Sequence, residues 1–113
     1  MAGYSIASND GTSNNTTPVT IVAAPASGKR RLVKAVNIYQ GDTVNATVEV
    51  RYVSSGGTRI ISKMLLAPND SLVLGEEDLY VLDSTAKSIT FVLSGSVTTN
   101  QLQFVASWLE EDI

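Results

Sequence analysis

The 113-residue chain has no cysteine and no histidine. Without thiols it forms neither disulfides nor thiolate metal sites, so stability rests on packing and, beyond that, on oligomerisation. Without imidazole it lacks the side chain most used as a general base, as the activator of a nucleophile, or as a zinc ligand. The acid–base chemistry left is that of paired carboxylates, at Glu76-Glu77-Asp78 and Glu110-Glu111-Asp112. A glycosidase needs two carboxyls on opposite sides of a cleft, one with its pKa raised by burial. A loop and a chain end leave such groups solvated, and the expectation is a protein that is not an enzyme. The same oxygens would suit a hard cation such as calcium, but no Asp-x-Asp-x-Asp-Gly loop accompanies them. Gly56-Gly57 lacks the lysine and following helix of a phosphate-binding loop and reads as a hairpin turn. No cofactor and no metal are expected.

Long apolar runs are missing too. The stretch 64–67 is among the longest, far short of the roughly 20 residues that cross a bilayer, so no membrane partner is expected. Met1-Ala2-Gly3-Tyr4-Ser5 has neither the basic nor the apolar region of a secretory signal, and synthesis in a cytoplasm is the expectation. Aromatic residues make up 6% of the chain. All but Tyr4 fall on alternating strands, as core residues do, rather than forming a platform for sugar rings.

The net charge of −3 is unevenly spread. Residues 29–63 hold seven of the eight basic side chains against Asp42 and Glu49, whereas residues 70–112 hold eight acidic side chains against Lys87. Lys29-Arg30-Arg31 with Lys34 is the one basic cluster, at the start of a strand in an acidic protein, and nucleic-acid binding is not expected. Complementary charge between neighbouring subunits is the economical reading. An ordinary solvated mix of surface charge is the alternative for any single residue.

What the chain does contain is strand pattern. Ala46, Val48, Val50 and Tyr52 alternate with Thr47, Glu49, Arg51 and Val53, the period of two that sends one set inward and the other outward. This strand, 46–53, is the middle of a meander with 30–40 and 58–65. Strand 30–40 is apolar on both faces, with Leu32, Val36 and Ile38 on one and Val33, Ala35 and Tyr39 on the other. Such a strand sits centrally in a sheet or has its outer face covered by another chain. Further strands are expected at 17–24, 71–74, 79–82, 88–93 and 101–109, with turns at Pro25-Ala26-Ser27-Gly28 and Ala67-Pro68-Asn69-Asp70. Seven to eight short strands with regular turn signals point to an all-β fold, an antiparallel β-sandwich or jelly roll.

Residues 1–17 are mostly Ser, Asn, Thr, Gly and Asp, too polar to order themselves. They read as a flexible polar arm preceding a sandwich domain at 18–113. Tyr4 and Ile6 are the possible anchors if the arm orders on a neighbouring subunit. Asn-x-Ser/Thr sequons at Asn14, Asn15, Asn45 and Asn69 read as turn chemistry.

The run Pro25-Ala26-Ser27-Gly28-Lys29-Arg30-Arg31-Leu32-Val33-Lys34-Ala35-Val36-Asn37-Ile38 resembles small β-sandwich virion proteins of tailed bacteriophages. The likeness continues through Leu65-Leu66-Ala67-Pro68-Asn69-Asp70-Ser71-Leu72-Val73-Leu74 and Ile89-Thr90-Phe91-Val92-Leu93-Ser94-Gly95, and into Phe104-Val105-Ala106-Ser107-Trp108-Leu109-Glu110. It spans about residues 18–110 and departs at Asp83-Ser84-Thr85, where such proteins commonly have a glycine. The resemblance implies a non-enzymatic virion structural protein: a capsid decoration (cement) protein, a head fibre, or a neck or tail accessory protein. It implies a homo-oligomer, often a homotrimer, made in the host cytoplasm, that binds the major capsid protein or another virion protein at the capsid surface. A glycan-binding module on a tail or fibre is the alternative. The candidate subunit or capsid contacts are Tyr4, Ile6, Lys29, Arg30, Arg31, Glu76, Glu77 and Asp78.

Overall fold

A computed structural model of the chain describes residues 4–75, 80–95, 97 and 100–113, and these form nine strands with no helix among them. They are β1 (Tyr4–Ser13), β2 (Val19–Val22), β3 (Lys29–Tyr39), β4 (Ala46–Ser54), β5 (Gly57–Leu66), β6 (Ser71–Leu74), β7 (Tyr80–Leu82), β8 (Ser88–Leu93) and β9 (Leu102–Asp112). One sheet runs β1-β9-β3, with β6 and β7 end to end along the far edge of β3; the other runs β2-β8-β4-β5. The described strand pairs are all antiparallel. With β6 and β7 counted as one interrupted strand, each sheet has four positions and the connections cross repeatedly between sheets. That connectivity is a jelly roll.

The apolar set of each strand meets between the sheets. Val33, Val36, Ile38, Leu102, Phe104 and Ala106 come from the five-stranded sheet, and Ile21, Val48, Val50, Ile89, Phe91 and Leu93 from the four-stranded one. Phe91 and Phe104 meet edge to face across the layers, centroids 5.4 Å apart, the arrangement that brings a positive ring edge to a negative ring face.

Strict alternation would place Leu32 inside with Val36 and Ile38. The register between β3 and β9 instead shifts between Val33 and Ala35, a bulge at Lys34. Bulging inserts one residue and flips the inward–outward parity of the rest of the strand. Val33 therefore joins Val36 and Ile38 in the core, while Ala35, Asn37 and Tyr39 are exposed and Leu32 is half-buried. Two apolar faces in strand 30–40 thus reflect central placement together with a bulge.

The expectation of an unstructured arm at 1–17 is corrected for Tyr4–Ser13, which pairs with β9 over ten consecutive residue pairs. Its polarity has a packing cause. Ala7, Asn9, Gly11 and Ser13 lie opposite Trp108, Ala106, Phe104 and Leu102, so the bulk on the inner side of this pair comes from β9. Gly11 leaves room for the Phe104 ring, and Asn9 Nδ2 donates to the Ile21 carbonyl (3.0 Å) at the bulge of β2. Backbone pairing and small inward side chains order the segment where apolar content could not.

Left-handed backbone occurs at Gly57 (φ 124°) in the β4–β5 hairpin and in two further turns. Gly28 (φ 82°) follows Ser27 in a turn closed by Lys29 N–H to Ala26 O, 3.1 Å. Asn69 (φ 71°) follows Pro68 in one closed by Asp70 N–H to Ala67 O, 3.0 Å. Both match the second central position of a type II turn.

Candidate interaction surfaces

The opposite charges of the two halves of the sequence meet within one chain. β3 begins Lys29-Arg30-Arg31 and β9 continues past its apolar part as Glu110-Glu111-Asp112, and antiparallel register sets Lys29 opposite Asp112, Arg30 opposite Glu111 and Arg31 opposite Glu110. All three pairs are ion-paired. The acidic end read as solvated is strand, lengthened by this ladder. Arg31 is the most embedded basic partner: its Nε donates to Glu110 (2.9 Å), its Nη1 to the Ala23 carbonyl (2.8 Å), and its guanidinium carbon lies 4.9 Å from the Trp108 ring centroid. The hydrogen bond to the Asp112 carboxylate holds the Lys29 amine above its usual pKa. These charges are matched without a second subunit, so subunit complementarity is not needed to explain them.

The other anticipated contact residues fall in two places. Tyr4 opens β1 opposite Glu111, and Ile6 projects outward from β1 with 77% of its surface exposed. Glu76, Glu77 and Asp78 lie outside the described residues. Among the described residues no group of three or more acidic side chains is arranged to hold a metal ion, and no helix is long and apolar enough to cross a membrane.

The outer faces of the two sheets differ. On the four-stranded sheet Glu49 pairs across with Lys63 and bonds Arg51, giving a charged centre, with exposed Ile60 and Leu65 at the β5 edge. On the five-stranded sheet Ile6, Val105, Val73, Val81 and Tyr39 are all exposed and face the same way. Half-buried Leu32 and Leu109 join them. The sequence pointed to the β3 part of this face through the two apolar sides of strand 30–40, but not to the contributions of β1, β6, β7 and β9. The signal for the face was the apolar residues on the nominally polar sides of β3 and β9.

Elsewhere among the described residues Val44, Met64 and Ile113 are exposed singly. An open pocket of about 250 Å³ at the β1–β2 turn is lined by Thr12, Ser13, Asn14, Asn15, Thr17 and Gln101 together with Val19, a mix of polar and apolar surface. Among the described aromatics Phe91 and Phe104 are core, and Trp108 is buried beneath Arg31. Tyr39 donates its hydroxyl to Asn69 Oδ1 at 2.8 Å.

No protein-family model matches the chain, and no curated protein is similar to it in sequence. Solved structures share its fold. A chain of Bacillus endospore appendages, described as a family of disulfide-linked pili, superposes with TM-score 0.55 at 14% identity, covering 99% of this chain and 88% of that one. A chain of the cyanophage Pam1 capsid asymmetric unit gives TM-score 0.51 at 15% identity, covering 99% and 85%. A chain of infectious bursal disease virus, Gx strain, gives 0.53 at 11% identity, covering all of this chain but 33% of that longer one. At these identities the likeness is one of fold: the chain is a jelly-roll β-sandwich of the kind found in virus shells and pili.

Proposed function

We propose that the chain is a non-enzymatic virion structural protein, and specifically a capsid decoration protein that binds and stabilises an assembled phage head from its outer surface. The observation that carries this reading is the near full-length match in both directions to a chain of a cyanophage capsid. It is supported by the sequence resemblance to tailed-phage sandwich proteins and by exposed apolar surface on both sheets. The appendage likeness differs at one chemical point: with no cysteine, copies of this chain cannot be linked by disulfides.

A decoration protein acts through many equivalent contacts, each burying on the order of 800 Å² per partner. Its partners are the major capsid protein or another virion protein together with copies of itself, the trimer being the order that the resemblance implies. The test is binding to shells assembled without the protein. Saturable co-sedimentation and a raised shell disruption temperature are expected; absence of binding to shells, with labelling confined to tails, rejects the decoration role.

A neck, tail or fibre accessory protein that binds glycans is the second reading, favoured by the open pocket at the β1–β2 turn, where hydroxyls and amides stand beside Val19. Glycan-array binding lost on Asn15→Ala supports it, and an array without signal ends it.

A further inference from the structure

Ile6, Leu109, Leu32 and Val81 form one row across β1, β9, β3 and β7. Ile6 is opposite Leu109, Leu109 opposite Leu32, and Leu32 opposite Val81, so all four project from the same outer face. In the adjacent row Glu111 and Arg30 pair on that face. On the other side lie small Ser8, Ser107 and Ala35, then a row in which Val105 and Val73 flank Asn37. Asp10 enters that row at the edge strand, and Lys34 stands at the bulge. Aliphatic side chains held outward on four adjacent strands are not needed by the chain's own core, and a monomer gains nothing by exposing them together.

We propose that this face is the contact between two copies of the chain, related by a two-fold axis running along the strands between β9 and β3. The Ile6-Leu109-Leu32-Val81 row and the Glu111-Arg30 pair are complementary to themselves about that line. The axis lays β9 of each copy over β3 of the other, and β1 over β6 and β7. Ile6 then meets Val81 of the second copy, and Leu109 meets Leu32. Glu111 meets Arg30 of the second copy and Arg30 meets Glu111, so the charged row is attractive between copies as well as within each. In the Val105 row the same axis brings Asp10 over Val73 of the second copy and Val105 over Asn37, so the matched contact lies in the Ile6 and Glu111 rows. An unrelated partner would have no reason to match this antisymmetry, whereas a two-fold contact must be self-complementary.

The area is sufficient. Four strand positions at ~4.8 Å and ten residues at ~3.3 Å span roughly 600 Å² per copy, about 1,200 Å² in total, the lower end of stable interfaces. Sheets packed face to face stay within about 30° of parallel, which keeps the central strands in register with each other. The contact is therefore concentration-dependent rather than permanent. It stands on this face and does not depend on the virion reading.

Sedimentation equilibrium of the full chain between about 1 and 100 µM tests it, the span over which such a contact reports. A monomer–dimer equilibrium is expected. Ile6→Asp and Val105→Asp, both at exposed positions, are each expected to weaken it about tenfold or more, while Ile60→Asp and Leu65→Asp on the other sheet leave it unchanged. A mixture of Ile6→Cys and Val81→Cys chains, in a protein otherwise free of thiols, is expected to cross-link under mild oxidation more than either variant alone. That arm reads the geometry even if an aspartate variant fails to fold. Wild-type monomer throughout, a trimer indifferent to Ile6→Asp, or dissociation caused by Ile60→Asp instead would each overturn the proposal.

Discussion

Gly11 and Phe104 face each other across β1 and β9, and a Cβ on Gly11 would sit 2.6 Å from the Phe104 ring. The ring cannot yield freely, because it is buried in the core and packed edge to face with Phe91. In an open strand Gly→Ala would stabilise by about 0.5–1 kcal/mol through the unfolded chain. Here Gly11→Ala is expected to destabilise, and Gly11→Val to cost about 1–3 kcal/mol by overpacking. Urea unfolding of the two variants decides between the signs.

Arg31 joins both sheets at one end of the sandwich through Glu110, Ala23 and the Trp108 ring. Arg31→Met keeps the stem but leaves Glu110 without this partner and the ring without its cation. About 1–2 kcal/mol should be lost. Arg31→Lys should recover less than half of that, since an ammonium cannot bond two acceptors in a plane while stacking. The measurement is the denaturation midpoint of the three proteins.

Removing residues 1–13 distinguishes a strand from an arm. An arm could be cut without consequence for the fold. Loss of β1 exposes the β9 edge, uncovers Phe104 and frees the Ile21 carbonyl from Asn9. The truncated chain is expected to melt at least roughly 5 °C lower, the shift that about 1 kcal/mol produces in a domain of this size. An unchanged melting curve would remove β1 from the folded unit.

The pH profile should carry two weak limbs. A hydrogen bond from Lys87 holds Asp83 below its ordinary pKa of 3.8, so the pair's contribution is present above that value and lost as pH falls through the lowered one. Bonds to Asp112 and Asp83 hold Lys29 and Lys87 above 10.5, so their contributions are complete below 10.5 and lost as pH rises through the raised values. Lys29→Met should flatten the alkaline limb, and Lys87→Met should alter both limbs because Asp83 loses its partner. These pairs lie at the surface, where solvent screens them, and the changes are small. Thermal melts across pH with each variant measure them.

The strand content and the two-layer class were legible in the chain because a period of two and turn residues such as Gly28 and Asn69 are local properties. Phe91, Phe104 and Trp108 were likewise placed in the core by alternation alone. Absence of cysteine and histidine set chemical limits without reference to any fold. What the local pattern could not reach was anything that depends on a neighbour distant in sequence. β1 looks too polar to fold because its inner bulk belongs to β9, and Lys29-Arg30-Arg31 looks like a free basic patch because its counter-charges lie about 80 residues away. The bulge at Lys34, which turns Val33 in and leaves Leu32 beside Leu109 on the outer face, was decided by pairing with β9. Hydrogen-bond register and volume matching between strands are set only when the strands meet, and they determined which apolar residues became core and which became surface.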